Sequence, residues 1–327
     1  MSDTIPVIDI SAFMSGSAKG LENAARKVRE ALTTVGFFVL EGHGVPRARI
    51  DRAFAAAARL HELPMAKKLA LRMNQHNNGY MTLGRYAVWT SEVNDNDRPD
   101  LNEAFFIRRE RPADDPVYAS GRRFLGPNQW PDENDMPGFR AEILDYTSAL
   151  ETLSHRFLPV AARSLDLEPD WFDGFFADSY YILRVSHYPP VEAGANQYGI
   201  APHTDANFLT FLPLTDVPGL QVRMPDGGWQ DVPYVPGAFA VNSGDIVKRW
   251  SNGRFKSTPH RALPPVDRDR YALPFFFGPS WDATIECLPG CRGPDNPPRW
   301  PVTTYGEWMT GWYDANYDHR VQVSAVG

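Results

Sequence analysis

Apolar positions in the first half of the chain recur at helical spacing. Leu21, Ala24, Ala25, Val28 and Leu32 step by three and four, predicting an amphipathic helix over about 21–35 with Gly36 as its C-cap. An alanine-rich helix is expected over about 47–63, and a short one from Pro64 to about 71. The longest stripe runs through Phe139, Ile143, Tyr146, Leu150, Leu153, Phe157 and Val160 and ends at Ser164. It predicts a helix over about 137–167 that backs a sheet, with Pro159 as a kink site. His155 falls off the stripe and is expected in solvent. A further short helix is expected over about 169–176.

Short apolar strands are expected at 5–10 and 37–40. From Tyr180 onward the pattern becomes all-β, with strand candidates at 180–188, 201–205, 207–214, 219–224, 228–232, 238–242, 245–250, 255–263 and 271–277. Turn signals separate them at Pro225-Asp226-Gly227-Gly228, Pro236-Gly237, Ser243-Gly244 and Asn252-Gly253. Many short strands with regular turns imply a closed or double-sheet β architecture. Asn242, Gly244 and Asp245 read as turn formers. Prolines at 112, 116, 127, 131 and 137 forbid a continuous helix there, so that segment reads as a connector. The stretch 74–102 is polar, aromatic and irregular, which in a compact domain marks a functional or disordered loop. A proline-rich loop at 289–301 precedes a last helix over about 304–317.

Composition narrows the function classes. The 327 residues suffice for a sizeable core. Thirty-three basic and 40 acidic residues leave a net charge of −7, which argues against nucleic acid as a partner. No run of about 18 apolar residues occurs, so no membrane span is expected. Met1-Ser2-Asp3-Thr4 does not open a secretory signal, and a cytoplasmic location is expected. Cys287 and Cys291 then read as free thiols, without the further ligands of a zinc site.

Candidate chemistry centres on Ala201-Pro202-His203-Thr204-Asp205. Residues two apart on a strand project from one face, so His203 and Asp205 could meet a single ion. His260 follows 57 positions later, and Arg270 ten beyond that. Two histidines and a carboxylate on a β scaffold form a facial triad that suits Fe(II) and leaves coordination positions open for oxygen chemistry. His187 falls on the opposite face from its neighbour Tyr188 and reads as non-ligating. His43 reads as a turn residue, and Arg261 as structural.

These residues sit within an ordered set of motifs: Leu183-Arg184, Tyr188-Pro189-Pro190, His203-x-Asp205, Val241-Asn242-Ser243-Gly244-Asp245, Trp250-Ser251-Asn252-Gly253-Arg254-Phe255, Ser257-Thr258-Pro259-His260-Arg261 and Arg270-Tyr271. The set resembles the 2-oxoglutarate/Fe(II)-dependent oxygenase superfamily, and more narrowly its isopenicillin N synthase-like branch. Ile5-Pro6-Val7-Ile8-Asp9-Ile10, Gly36-Phe37-Phe38-Val39-Leu40 and Gly42-His43-Gly44-Val45-Pro46 resemble that branch's N-terminal region. The resemblance implies an α+β chain with a mainly β core, a double-stranded β-helix (jelly roll) flanked by helices. It divides the chain into an N-terminal α/β region (1–120), a connector with the backing helix (121–177), the jelly-roll core (178–280) and a C-terminal loop and helix (281–327).

It also implies a function. Fe(II) would bind His203, Asp205 and His260. 2-Oxoglutarate would chelate the iron and be held by Arg270 and Tyr188. With O2, the enzyme would oxidise an unactivated C–H bond of a small molecule, releasing succinate and CO2. The family's Arg-x-Ser is here Arg270-Tyr271-Ala272, which removes one hydroxyl, nominally about 1 kcal/mol of hydrogen bonding. Two rivals follow: an oxidase on the same fold that needs no 2-oxoglutarate, and a non-enzymatic jelly-roll protein that binds metal for stability. Substrate-pocket candidates are Arg184, on the face of Tyr188, together with Tyr80, Arg85 and Trp89 of the irregular stretch and Phe277 of the last core strand.

Overall fold

The computed structural model describes residues 4–85 and 87–316. Its framework is a double-stranded β-helix, a jelly roll built from two facing sheets. Among the described residues, the larger sheet has nine strands. Its order runs Val7–Asp9, Phe37–Glu41, Phe239–Ser243, Leu209–Pro213, Phe275–Ser280, Ser179–Tyr188, Glu103–Arg108 and Gly79–Met81, with Arg270–Ala272 also paired to Ser179–Tyr188. The smaller sheet has, among the described residues, four strands, in the order Ile200–His203, His260–Ala262, Leu220–Arg223 and Trp229–Asp231.

The stripe read from the sequence does what its spacing requires. Helix Phe139–Ser164 buries Ile143, Tyr146, Leu150, Leu153, Phe157, Val160 and Ser164. Phe157 meets Phe38 and Phe211 of the large sheet at ring separations of 6.2 and 6.0 Å. Helices Ala18–Thr34 and Arg47–Glu62 pack on the same helix, so the reverse face of the large sheet is closed to water. Each fully buried Leu or Phe contributes roughly 1.5–3 kcal/mol, and this layer fixes the sheet that carries the site.

Four expectations are corrected. Residues 245–250 form helix Asp245–Trp250, not a strand; Ile246, Val247 and Trp250 are buried at helical spacing. Residues 169–176 are a series of turns. Phe172 and Phe176 anchor them in an aromatic cluster around Trp250, so packing rather than helical hydrogen bonding holds the segment. The expected strand 271–277 is two strands, Arg270–Ala272 and Phe275–Ser280. Pro274 has no N–H for the ladder, and its carbonyl accepts from the Arg184 backbone N–H at 3.1 Å instead. His155 is half-buried rather than solvated, with Nε2 3.0 Å from Ser179 Oγ and its ring edge-on to Phe277. Among the described residues no helix is long and apolar enough to cross a membrane.

Candidate active site

His203 ends strand Ile200–His203, and its register partner is His260 on the antiparallel neighbour. Directly paired residues share a face, so the two imidazoles meet with ring centroids 4.3 Å apart. Asp205 follows two positions after His203. Its Oδ1 lies 3.8 Å from His203 Nε2 and 3.7 Å from His260 Nε2. One ion roughly 2 Å from each atom would touch all three.

Neighbouring groups set the protonation of this trio. His203 Nδ1 is 2.8 Å from the Ala201 carbonyl, and His260 Nδ1 is 3.1 Å from the Thr258 carbonyl. A carbonyl only accepts, so each Nδ1 carries the proton and each Nε2 presents a lone pair to the cavity. Burial, and then the nearby His260, hold His203 well below its ordinary pKa, so it stays neutral. Burial alone would raise the Asp205 carboxyl. The His260 and His203 rings and hydrogen bonds from Asn242 and Thr210 outweigh burial, and Asp205 stays ionised. Those two bonds, at 2.8 Å from Asn242 Nδ2 and 2.6 Å from Thr210 Oγ1, both end on Oδ2. Oδ1 is left for the ion. Two imidazoles that turn Nε2 to the cavity and one carboxylate suit a ferrous ion with open positions.

The trio lines a cavity with about 560 Å³ of open space, and Arg270 lies in its wall. Arg270 pairs in register with Tyr188, and its guanidinium carbon stands 4.9 Å from the Tyr188 ring centre. The side chain is 6% exposed, yet Nε and Nη1 have no hydrogen-bond partner. Buried N–H groups left unsatisfied cost roughly 1–3 kcal/mol each, so this cation is laid out for an anion. Gly219, with φ +146°, lets the arginine pass; a Cβ there would stand 3.5 Å from Arg270 Cδ and 2.9 Å from the Leu263 carbonyl. Ala272 shares the Arg270 face and lines the same cavity, while Leu212 and Leu220 make it apolar between arginine and trio. A dicarboxylate fits this arrangement, with one end toward the trio and the other on Arg270.

A second cavity, with about 510 Å³ of open space, meets the first at His203, Asp205, Arg184 and Phe276. Its walls include Val88, Phe106, Ile182, Met309, Trp312 and Tyr313. The last three come from helix Tyr305–Asn316, which Trp308 Nε1 pins to the Ala206 carbonyl at 2.8 Å. Asn316 Oδ1 accepts from Thr90 N and Oγ1 at 3.0 and 2.8 Å, tying the helix to the segment that carries Val88.

Residues 179–279 match the model of the 2OG-Fe(II) oxygenase superfamily, and residues 5–133 match the non-haem dioxygenase N-terminal model named for morphine synthesis. The 2-oxoglutarate-Fe(II) type oxidoreductase hxnY of Emericella nidulans is 35% identical over 319 residues, covering 95% of this chain and 90% of its own length. The chain belongs to the 2-oxoglutarate–Fe(II) oxygenase superfamily.

This oxygenase is also 36% identical over 296 residues to the 2-oxoglutarate-dependent dioxygenase citB of Monascus ruber, covering 87% of each chain. Among solved structures it resembles a full-length Neurospora crassa protein in complex with alpha-KG, with TM-score 0.84 and 27% identity over 96% of this chain and 99% of that one. JOX2 in complex with 2OG, Fe and JA gives TM-score 0.75 at 28% identity, covering 94% and 84%. The oxygenase is therefore a 2-oxoglutarate- and Fe(II)-dependent dioxygenase that uses O2. The rival without 2-oxoglutarate is not favoured.

The pocket candidates of the oxygenase divide. Arg184 lines both cavities, lies over the Phe106 ring and donates from Nη2 to Asn102 Oδ1 at 2.6 Å. Tyr80 is not in the pocket: it is buried with its hydroxyl on Glu103, beneath the Lys68 ammonium. Phe277 is core, stacked on Phe176 at 4.9 Å, and its neighbour Phe276 faces the cavities instead. Strand alternation offered two faces, and sequence alone did not say which was core. Arg85 and Trp89 are exposed and line neither cavity, whereas Val88 does. Arg261 has its guanidinium 4.2 Å from the Trp229 ring centre and bonds Gln221, but also borders the first cavity. Asn242, read as a turn former, instead holds Asp205 from inside a strand. The missed signal was a polar residue in the apolar run Phe239-Ala240-Val241-Asn242, where a buried amide needs a partner.

Proposed function

We propose that His203, Asp205 and His260 hold the iron of this dioxygenase, and that Arg270, with Tyr188 against its guanidinium, holds the distal carboxylate of 2-oxoglutarate. The observation that carries the reading is the pair of unspent donors on buried Arg270, in one cavity with a trio whose inward atoms are all lone-pair donors. When bound, iron and 2-oxoglutarate supply the oxidation of a C–H bond, with succinate and CO2 as co-products. The chain's own residues position and shield. Asn242 and Thr210 aim Asp205, the Ala201 and Thr258 carbonyls fix the imidazole tautomers, and Leu212 and Leu220 keep the cosubstrate space apolar.

The prime substrate occupies the second cavity. Phe106, Phe276, Met309 and Trp312 favour a small, largely apolar molecule with a flat face, and Arg184 favours an oxygen acceptor on its rim. Two comparisons support a small-molecule substrate: the Neurospora crassa protein has been solved with thymine and with 5-formyluracil, and JOX2 with JA. Hydroxylation is the expected outcome. The test is anaerobic titration of the Fe(II)-loaded protein with 2-oxoglutarate. A saturable visible charge-transfer band is expected in the native protein and absent in His203→Ala. Iron binding without that band would overturn the cosubstrate assignment.

A further inference from the structure

Strand Arg270–Ala272 is three residues long, and its ladder hydrogen bonds run to one neighbour, Ser179–Tyr188. Its cavity face carries Arg270. Its reverse face is gripped by a hydrogen-bonded and stacked network. His187 Nε2 is 2.7 Å from Asp269 Oδ1, on the residue just before Arg270. Tyr271 lies flat on the His187 ring, with centroids 5.0 Å apart and planes at 18°. His187 Nδ1 is 2.8 Å from Glu103 Oε1. Glu103 in turn accepts from Lys68 Nζ at 2.9 Å and from the Tyr80 hydroxyl, and lies 3.3 Å from His61 Nδ1.

His61, Glu103 and His187 place ligand-type atoms within 4.8 Å of one another, a metal-like composition. The surroundings speak against an ion. Lys68 already supplies a cation at Glu103, His61 Nε2 is taken by the Val185 carbonyl at 3.1 Å, and His187 Nε2 by Asp269. What remains is a connected path from the helices bearing His61 and Lys68, through Glu103 and His187, to the two residues flanking Arg270.

We propose that this network is a positioning device for the cosubstrate: through His187, Asp269 and Tyr271 it holds the Arg270 strand so that the guanidinium is pre-oriented toward 2-oxoglutarate. The inference rests on the proposed role of Arg270. A three-residue ladder leaves the strand free to twist, and a twist would carry the arginine fork off the carboxylate; bracing removes that ordering cost from binding. His187 meets a carboxylate through each nitrogen, an arrangement in which both nitrogens donate and the ring is an imidazolium. The charged and titratable groups packed against it are His61 on one helix, Glu103 on the adjacent strand, Tyr271 on its partner strand and Asp269 just before that strand, with Lys68 and Tyr80 behind Glu103. Loss of the His187 proton breaks one of its two carboxylate bonds and loosens the brace.

The test measures 2-oxoglutarate binding by anaerobic calorimetry on the Fe(II) protein, alongside uncoupled 2-oxoglutarate turnover. Asp269→Asn and His187→Gln are expected to raise Kd and KM for 2-oxoglutarate about ten-fold, with Fe(II) affinity and turnover at saturation within about two-fold. Native affinity is expected to weaken as pH rises above the ordinary histidine value of 6.5, and Asp269→Asn to flatten that profile. An unchanged Kd with a lowered Tm would show a merely structural network and overturn the inference. Arg270→Ala separates the two levels. If it loses 2-oxoglutarate while Asp269→Asn does not, only the brace fails; if it binds like the native protein, the role of Arg270 fails first.

Discussion

Asn242 donates from Nδ2 to Asp205 Oδ2 at 2.8 Å, from the middle of a strand in the sheet opposite the two histidines. The bond leaves Oδ1 facing both Nε2 atoms. It also spans the two sheets, so the geometry of the trio depends on how they stack. Asn242→Leu removes the donor with little change in volume. Fe(II) affinity is expected to fall about 10- to 100-fold, as for other partners that orient a metal ligand. Equilibrium titration with a competing chelator measures it. Wild-type affinity in this variant would remove Asn242 from the site.

His203→Ala deletes one of the three proposed ligand atoms and is expected to abolish both Fe(II) binding and turnover. Arg270→Lys keeps the charge and loses the planar fork. It is expected to raise the 2-oxoglutarate Kd while leaving Fe(II) affinity unchanged. Retained turnover in His203→Ala, measured as succinate formed, would sink the metal assignment.

Phe276 and Phe277 separate substrate from stability. Phe277 is fully buried and stacked on Phe176, so Phe277→Ala is expected to cost about 3–5 kcal/mol and to appear in thermal unfolding. Phe276 is partly buried and lines both cavities. Phe276→Ala is expected to raise the KM of the prime substrate with a much smaller change in Tm. The opposite ranking in differential scanning calorimetry would reverse the assignment of the two faces.

Ala272→Ser restores a hydroxyl beside Arg270, on the cavity face of the same strand. One added hydrogen bond of about 1 kcal/mol predicts roughly five-fold tighter 2-oxoglutarate binding. Calorimetric titration of the two proteins side by side reads it directly.

The His203–Asp205 pair and the long backing helix were legible in sequence from local spacing, whereas His260 and Arg270, far along the chain, were picked out by the ordered motif set around them. His203 and Asp205 are two apart on a strand end, and the stripe from Phe139 to Ser164 has a single helical period. The second cavity was not legible, because it is assembled from distant pieces. Val88 comes from an irregular segment, Phe106 and Ile182 from neighbouring strands, and Met309, Trp312 and Tyr313 from the last helix. No period connects them. Tyr80 was misplaced for a related reason: an aromatic residue in a polar loop resembles a pocket wall, while the carboxylate that takes its hydroxyl, Glu103, is 23 positions away.

The network behind Arg270 gives stability a defined pH dependence. Burial alone would lower the His187 pKa, but hydrogen bonds to Glu103 and Asp269 outweigh it and raise it above its ordinary 6.5. A group whose folded pKa is raised stabilises the fold fully below its unfolded pKa, and that contribution is lost as pH rises through the folded value. His61 acts in the opposite sense. Burial lowers its pKa, so its contribution is lost as the medium becomes acid. Comparing native protein with Asp269→Asn isolates the first effect, because Asp269 contacts His187 and not His61. Asp269 is half exposed, which screens the pair and limits its contribution to about 1 kcal/mol, or about 2 °C in Tm. The native protein is expected to exceed the variant in Tm by that margin near pH 6, and the gap to close on the alkaline side. A gap that does not close as pH rises would mean that His187 carries no extra proton between its two carboxylates.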